Sequence, residues 1–384
     1  MTLHRNFFYR VLDVELARHG GLFNAHAHVD RYGTLEPRFH GVSDDIQAFT
    51  TYALWNKVDA TASLHRGLAY TRPSLSERME RFLSESESCG VKRVDSFIDV
   101  TSNIPLAGGL GALDAALETK RAFAGRIDFR VGAFAPFGFR KDVERDIELF
   151  KSAIDRADFI ATSPERDDAS FYEAGPGHIG FQTHLDWTLQ WAVESRKPIH
   201  YHLDQQVNPN ERGTEALINA VERTGLGERI VALSEREPLV WAVHSISPST
   251  YPLVRREKMA ARMAELRIGL VCCPSAALSM RKLPVFDAPI HKSIADVLLM
   301  LEHGVHVRLG TDNVDDIFLP ATLLDPRYEV GALANALRFY NLPILAKLAC
   351  GKAIDADDLR FVKAHLRDER THVESFRQPK TFPV

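Results

Sequence analysis

Leu22-Phe23-Asn24-Ala25-His26-Ala27-His28-Val29-Asp30 is an apolar run that ends in His-x-His. In an extended chain residues i and i+2 share a face, so the run predicts a buried strand whose end sends both imidazoles in one direction. Two nitrogen ligands for one ion is one reading, and two polar side chains capping a strand is the other. Recurrence favours the first. Three more polar clusters, His200-Tyr201-His202-Leu203-Asp204-Gln205, Val243-His244-Ser245 and Gly310-Thr311-Asp312-Asn313, also stand at the ends of apolar runs. Together they outline a metal site.

Working outward, short apolar and β-branched runs occur at 21–27, 91–100, 127–135, 157–162, 198–204, 238–246, 267–273 and 305–311. Stretches of helical period lie between them at 74–89, 112–123, 142–156, 184–195, 214–224, 253–265 and 294–303. Strict alternation demands parallel strands joined by crossover helices, and eight such units close into a barrel more naturally than into an open sheet. The predicted fold class is α/β, a (β/α)8 TIM barrel. The polar clusters then fall at the C-terminal ends of strands one, five, six and eight, the end at which such barrels carry their chemistry.

Two segments depart from a minimal barrel. Residues 41–73 form a long insertion after strand one, with Trp55, Asn56, Lys57 and His65 in a helix-like pattern that would make a lid over the mouth. Residues 327–367 read as extra helices, followed by a polar tail to 384. Neither resembles a separate domain, so 1–384 reads as one. The run Gly108-Gly109-Leu110-Gly111 lacks the Lys-Ser/Thr of a phosphate loop and reads as a turn.

The 384 residues are 45% hydrophobic and 26% charged with a net charge of -4, an ordinary composition for a soluble globular protein. It makes no electrostatic case for nucleic acid, a membrane surface or a polyanion. Cys89, Cys272, Cys273 and Cys350 show no C-x-x-C spacing and read as buried small hydrophobes in a reducing compartment. The first residues lack the apolar core of a signal peptide, and no window approaches the roughly 18 apolar residues of a membrane span. The expectation is a cytoplasmic protein with a small-molecule substrate. Homo-oligomerisation stays open.

Taken in order, these residues resemble the amidohydrolase superfamily, and within it the bacterial cytosine deaminase-like branch. The resemblance covers most of the chain. It rests on the His-x-His, the strand-two segment ending Phe97-Ile98-Asp99-Val100-Thr101, the His closing strand five, and His244 after strand six. It also rests on Gly310-Thr311-Asp312-Asn313-Val314-Asp315-Asp316 followed by Pro320, similar to the family's Gly-His-Asp-Asp-Val stretch. The resemblance implies that His26, His28, His202 and Asp312 ligate one divalent metal ion, Zn²⁺ or Fe²⁺, with His244 close by. His200 shares a face with His202 and is the rival ligand; the strand-terminal His202 is preferred. Such a donor set leaves a position for water, whose pKa the metal lowers toward about 7. Asp312 would take its proton and pass it to the leaving nitrogen, while His244 orients the water or polarises the bond under attack.

One residue departs from the pattern. Deaminases of this group carry a Glu three residues after the strand-five His, and here the residue is Gln205. Gln cannot deliver a proton to a ring nitrogen, but it can hydrogen-bond a carbonyl or a ring N–H. Two hydrolases of a C–N bond are therefore expected alternatives: an aminohydrolase acting on a nitrogen heterocycle, with Asp204 or Asn313 helping, and an amidase that opens a cyclic amide or cuts a side-chain amide. A barrel that only binds a metabolite is the third reading, disfavoured by the complete ligand set. Candidate substrate contacts are Asp99 and Thr101, Phe134 and Phe137, Ser163 and Arg166, Ser275 and Met280, Asn313, and Trp55 as a stacking lid. Arg166 would grip a substrate carboxylate in a bidentate pair.

Overall fold

The computed structural model describes residues 6–40, 52, 54–169, 177–280 and 293–377. Its strands are β1 (Leu22–Ala27), β2 (Val91–Asp99), β3 (Asp128–Ala135), β4 (Phe159–Thr162), β5 (Ile199–Leu203), β6 (Val240–His244), β7 (Gly269–Cys272) and β8 (Val307–Leu309). They lie in one sheet in sequence order, and every neighbouring pair is parallel. Each falls inside one of the predicted runs. Strands held between a barrel interior and an outer helical layer must be apolar on both faces, and every residue of β1, β5 and β6 is buried.

The ring closes where the end of β8 meets β1. Asp312 N donates to the His26 carbonyl at 2.9 Å, in a parallel bridge between Ala27 and Asp312. One layer lower, the side chain of Asn24 donates to Thr311 Oγ1 (2.8 Å) and accepts from Thr311 N (3.0 Å). Gly310 makes this approach possible, because a Cβ there would stand 2.6 Å from His26 Cβ and 2.8 Å from His26 N. The result is a (β/α)8 barrel.

The predicted helices are present as Arg72–Ser88, Gly111–Ala122, Glu144–Arg156, Phe181–Ser195, Gly213–Arg223, Leu253–Glu265 and Val297–Glu302. The glycine run is a tight turn leading into Gly111–Ala122, with Ala107 and Gly108 at positive φ. The helix Phe7–Arg18 was not foreseen; Leu12 and Leu16 are its buried positions, too few to stand out as a stripe, and it packs on Leu342–Ala349. After β8 come Arg327–Leu337, Leu342–Ala349 and Ala356–Arg377, the last lying against Val297–Glu302. Of the insertion, residues 41–51 and 53 lie outside the described residues, while 54–66 form a helix. Among the described residues no helix is long and apolar enough to cross a membrane. All four cysteines are free thiols, and Cys272, Cys273 and Cys350 are buried.

An aromatic layer fills the barrel below its C-terminal end. The Phe97 ring lies 5.4 Å from Phe159, Phe159 lies 4.8 Å from His200, and His200 lies 5.8 Å from Trp241. This layer is the floor on which the site stands.

Candidate metal centre

β1, β5 and the turn after β8 bring His26, His28, His202 and Asp312 together, each offering one ligand atom, and these atoms all lie within 4.8 Å of one another. His26 Nε2 and His28 Nε2 approach Asp312 Oδ1 at 3.2 and 3.4 Å, and His244 Nε2 lies 3.8 Å from Asp312 Oδ2. The Phe97 ring supports the group from below, 4.2 Å from His26 and 5.1 Å from His202. His200 is not in the cluster: it lies one layer down, among Phe97, Phe159 and Trp241.

The turns that deliver these groups are bent out of ordinary geometry. Asp204, His244, Ser245 and Asp312, all non-glycine, have φ of 56°, 74°, 49° and 61°. Left-handed backbone at such residues costs about 1–3 kcal/mol each and persists only where surrounding bonds impose it. Asp204 shows how. Its carboxylate accepts from Gly213 N and Thr214 N, both at 2.7 Å, and its carbonyl accepts from Ile246 N (2.9 Å) and Ser247 N (3.0 Å). Asp204 thus caps the Gly213–Arg223 helix and braces the turn after β6, which removes it from the role of proton donor.

The electrostatics suit a cation. Burial drives the His28 and His202 imidazoles well below their usual value, and their neighbours Arg31 and His26 add to the effect. Burial takes His244 down to about 4 against the opposing pull of Asp312. Burial alone would raise the Asp312 carboxyl, but the hydrogen bond and charge of His26, with His244 and Arg31, hold it below its ordinary range. Imidazoles kept neutral at His28, His202 and His244 beside an ionised Asp312 suit a divalent metal. Both ring nitrogens of His244 are buried without a hydrogen-bond partner among the described residues, a costly state for an imidazole with nothing to bind. Ligands about 2.0–2.2 Å from one ion stand about 3.3–3.6 Å apart in a tetrahedral site, so the four donors, now within 4.8 Å of one another, would hold a single ion once side-chain rotations draw the wider pairs in.

Above the cluster opens a cavity of about 360 Å³, lined on its polar side by Arg31, Lys57, Ser163, Gln205 and Asn313. Leu54 and Val58 of the helix Leu54–Arg66 form part of its wall, with Phe134, Met280, Phe318 and Leu319. Trp55 belongs to that helix, but its side chain lies outside the described residues. Asn313 lines the cavity and donates from Nδ2 to the buried Asp316.

Five expected substrate contacts, Asp99, Thr101, Phe137, Arg166 and Ser275, are not among the described residues that line the cavity. Asp99 is fully buried and its carboxylate is taken: Arg31 Nη2 donates to Oδ1 (2.7 Å), Arg31 Nε to Oδ2 (2.9 Å), and Oδ2 also meets His65 Nε2 (2.8 Å) and Tyr70 OH (3.0 Å). A buried carboxylate needs a counter-charge, and the neighbouring loop supplies one before any substrate can. Arg166 reaches Asp59 of the Leu54–Arg66 helix at 2.7 Å instead of lining the cavity. Ser275 donates from its backbone to Glu329 (2.8 Å) outside the cavity. Arg31 is the residue that reading the sequence missed; its only signal was its place directly after the His-x-His-x-Asp run.

No family model matches the chain. An uncharacterized protein of Haemophilus influenzae is 25% identical over 306 residues, which span 78% of this chain and 100% of that protein. Among solved structures, the 5-methylcytosine deaminase of Klebsiella pneumoniae liganded with 5-fluorocytosine matches with a TM-score of 0.68 at 19% identity, over 85% of this chain and 72% of that one. An amidohydrolase of Burkholderia ambifaria with bound Zn matches with a TM-score of 0.55 at 13% identity, over 97% of this chain and 96% of that one. At such identities the likeness is one of fold. The protein is a (β/α)8 barrel with a buried His–Asp cluster at its mouth, and its structural neighbours are deaminases and amidohydrolases.

Proposed function

We propose that this chain is a metal-dependent hydrolase that cleaves a C–N bond in a small nitrogen compound. The observation that carries it is the convergence of four ligand atoms from three distant pieces of chain within 4.8 Å, at the end of the barrel where such folds place their chemistry. His26, His28, His202 and Asp312 would hold one divalent ion, Zn²⁺ or Fe²⁺. When bound, such an ion supplies the Lewis acidity that makes water nucleophilic near neutral pH. Asp312, kept ionised, accepts the proton of the attacking water and returns it to the departing nitrogen. His244, kept neutral and within 3.8 Å of Asp312, orients the water or polarises the bond. The Phe97 and Phe134 rings pack against the His202 imidazole and help to fix its orientation.

The leaving group separates two forms of this reading. Structural likeness to deaminases supports release of ammonia from a heterocycle. Gln205, which lines the cavity, supports amide hydrolysis, because it can bond a carbonyl or N–H but cannot give a proton to a ring nitrogen. A panel of N-heterocycles and cyclic amides, followed for both ammonia release and loss of ring absorbance with Zn- and Fe-loaded protein, decides between them. Absence of turnover on the whole panel, together with less than a tenth of an equivalent of tightly bound metal after metal addition, rejects the hydrolase.

A further inference from the structure

We propose that Arg31 sets the specificity of this cavity, and that the molecule it selects carries an anionic oxygen group, either a carboxylate or an ionised ring oxygen. The proposal depends on the hydrolase reading for the fate of that molecule but not for its binding.

Arg31 is only 4% exposed, yet it lines the cavity beside His28, His202 and Asp312. Its guanidinium is fixed edge-on. Asp99 takes Nε and Nη2 at 2.9 and 2.7 Å, and Asp99 is itself held by His65 and Tyr70. The bonds to Asp99 use one edge of the fork, and the other edge, Nη1 with the second N–H of Nη2, keeps donors that Asp99 does not take. A guanidinium immobilised in this way presents donors without the entropic cost of ordering a flexible side chain.

The surroundings place it within reach of a substrate bound at the cluster. The Phe134 ring lies 5.7 Å from Arg31 Cζ, and the same ring lies 5.4 Å from His28 and 5.0 Å from His202. A flat molecule resting on Phe134 therefore spans the distance from cluster to guanidinium. Phe318 flanks Cζ from another side at 5.2 Å, and Lys57 Nζ is held on the Phe318 carbonyl at 2.9 Å. Among the described lining residues the cations are Arg31 and Lys57, and the only carboxylate is Asp312, which the metal would neutralise. Asp99 and Asp30 face Arg31, and Asp316 faces Lys57, so what the cavity offers an anion is the directed N–H donors of a guanidinium held in place, with or without a metal. An anionic oxygen is the group that the guanidinium donors not taken by Asp99 favour.

The test is calorimetric titration of orotate, barbiturate and uracil into wild type, Arg31→Met and Arg31→Lys, each metal-free and Zn-loaded. We expect wild type to bind at least one anion roughly 10-fold or more tighter than uracil in both forms. Arg31→Met should erase that preference, and Arg31→Lys should keep part of it. Preference for orotate assigns a carboxylate, and preference for barbiturate assigns a ring oxygen. Arg31→Met leaves Asp99 buried without its counter-charge, so Arg31→Met combined with Asp99→Asn serves if the single variant does not fold. The proposal is overturned if neither anion is preferred over uracil, if the preference survives loss of Arg31, or if it exists only in Zn-loaded protein. Anion preference in a protein that turns over nothing would sink the hydrolase and leave this inference standing.

Discussion

The backbone N–H of Asp312 donates to the carbonyl of His26 at 2.9 Å, while the Asp312 carboxylate lies 3.2 Å from Nε2 of the same histidine. The contact that closes the barrel is therefore also the contact that sets two of the four converging side chains. Strain at Asp312, with its φ of 61°, is held by that closure.

Gly310→Ala tests this coupling. The added methyl would enter within 3 Å of His26 Cβ and of its backbone N and O, forcing β1 and β8 apart. We expect a loss of about 1–3 kcal/mol of stability, together with weakened metal binding. Thermal melts and metal stoichiometry on the same preparation check both, and an unchanged metal content at lowered Tm would uncouple seam from site.

Asp312→Asn is isosteric and should keep the fold. Removing its proton-transfer role should lower kcat by about 10²–10⁴-fold, beyond any loss attributable to metal content. Retention of more than a tenth of wild-type activity in metal-replete protein would reject the role.

Gln205→Glu restores a carboxyl at the cavity wall. Ammonia release from heterocycles should rise about tenfold or more if the missing acid limits deamination. No rise, with activity on a cyclic amide, settles the leaving group in favour of the amidase.

Chelation should abolish activity and lower Tm, and Zn²⁺ or Fe²⁺ should restore both. An ion present at 100 times its Kd stabilises by about 2.7 kcal/mol. A Tm insensitive to both chelator and added metal would contradict the assignment of these residues as ligands.

His306 lies at the opposite end of the barrel, against Trp241 (5.3 Å between rings) and the Gly351 carbonyl (3.2 Å). Burial, assisted by Arg308, lowers its pKa from 6.5 to about 4. The unfolded chain takes up a proton near 6.5 and the folded chain only near 4. Stability from this group is thus full above 6.5, declines as pH falls toward 4, and is flat below. The slope is at most about 1.4 kcal/mol per pH unit. Urea unfolding between pH 7 and 4 should show a shallower decline for His306→Gln than for wild type, and equal slopes would discount the imidazole.

Much of the architecture was legible because its signals are local. Apolar runs of strand length alternate with helical periods, and this pattern alone places every strand and puts His26, His28, His202, His244 and Asp312 at strand ends. Pattern says little about partners. Asp99 stood at a strand end as convincingly as Asp312, yet it is consumed by Arg31, 68 positions away. Asp204 looked like a spare acid and is a helix cap.

The chain's own order of residues determined the barrel and the residue types gathered at its mouth, since period and burial are properties of each segment. Only the folded arrangement put His202 in the cluster with His200 one layer below, turned Arg166 toward Asp59, and set Arg31 against the cavity. Those outcomes depend on which charges and rings meet across the barrel, and a buried charge takes whichever partner the packing brings first.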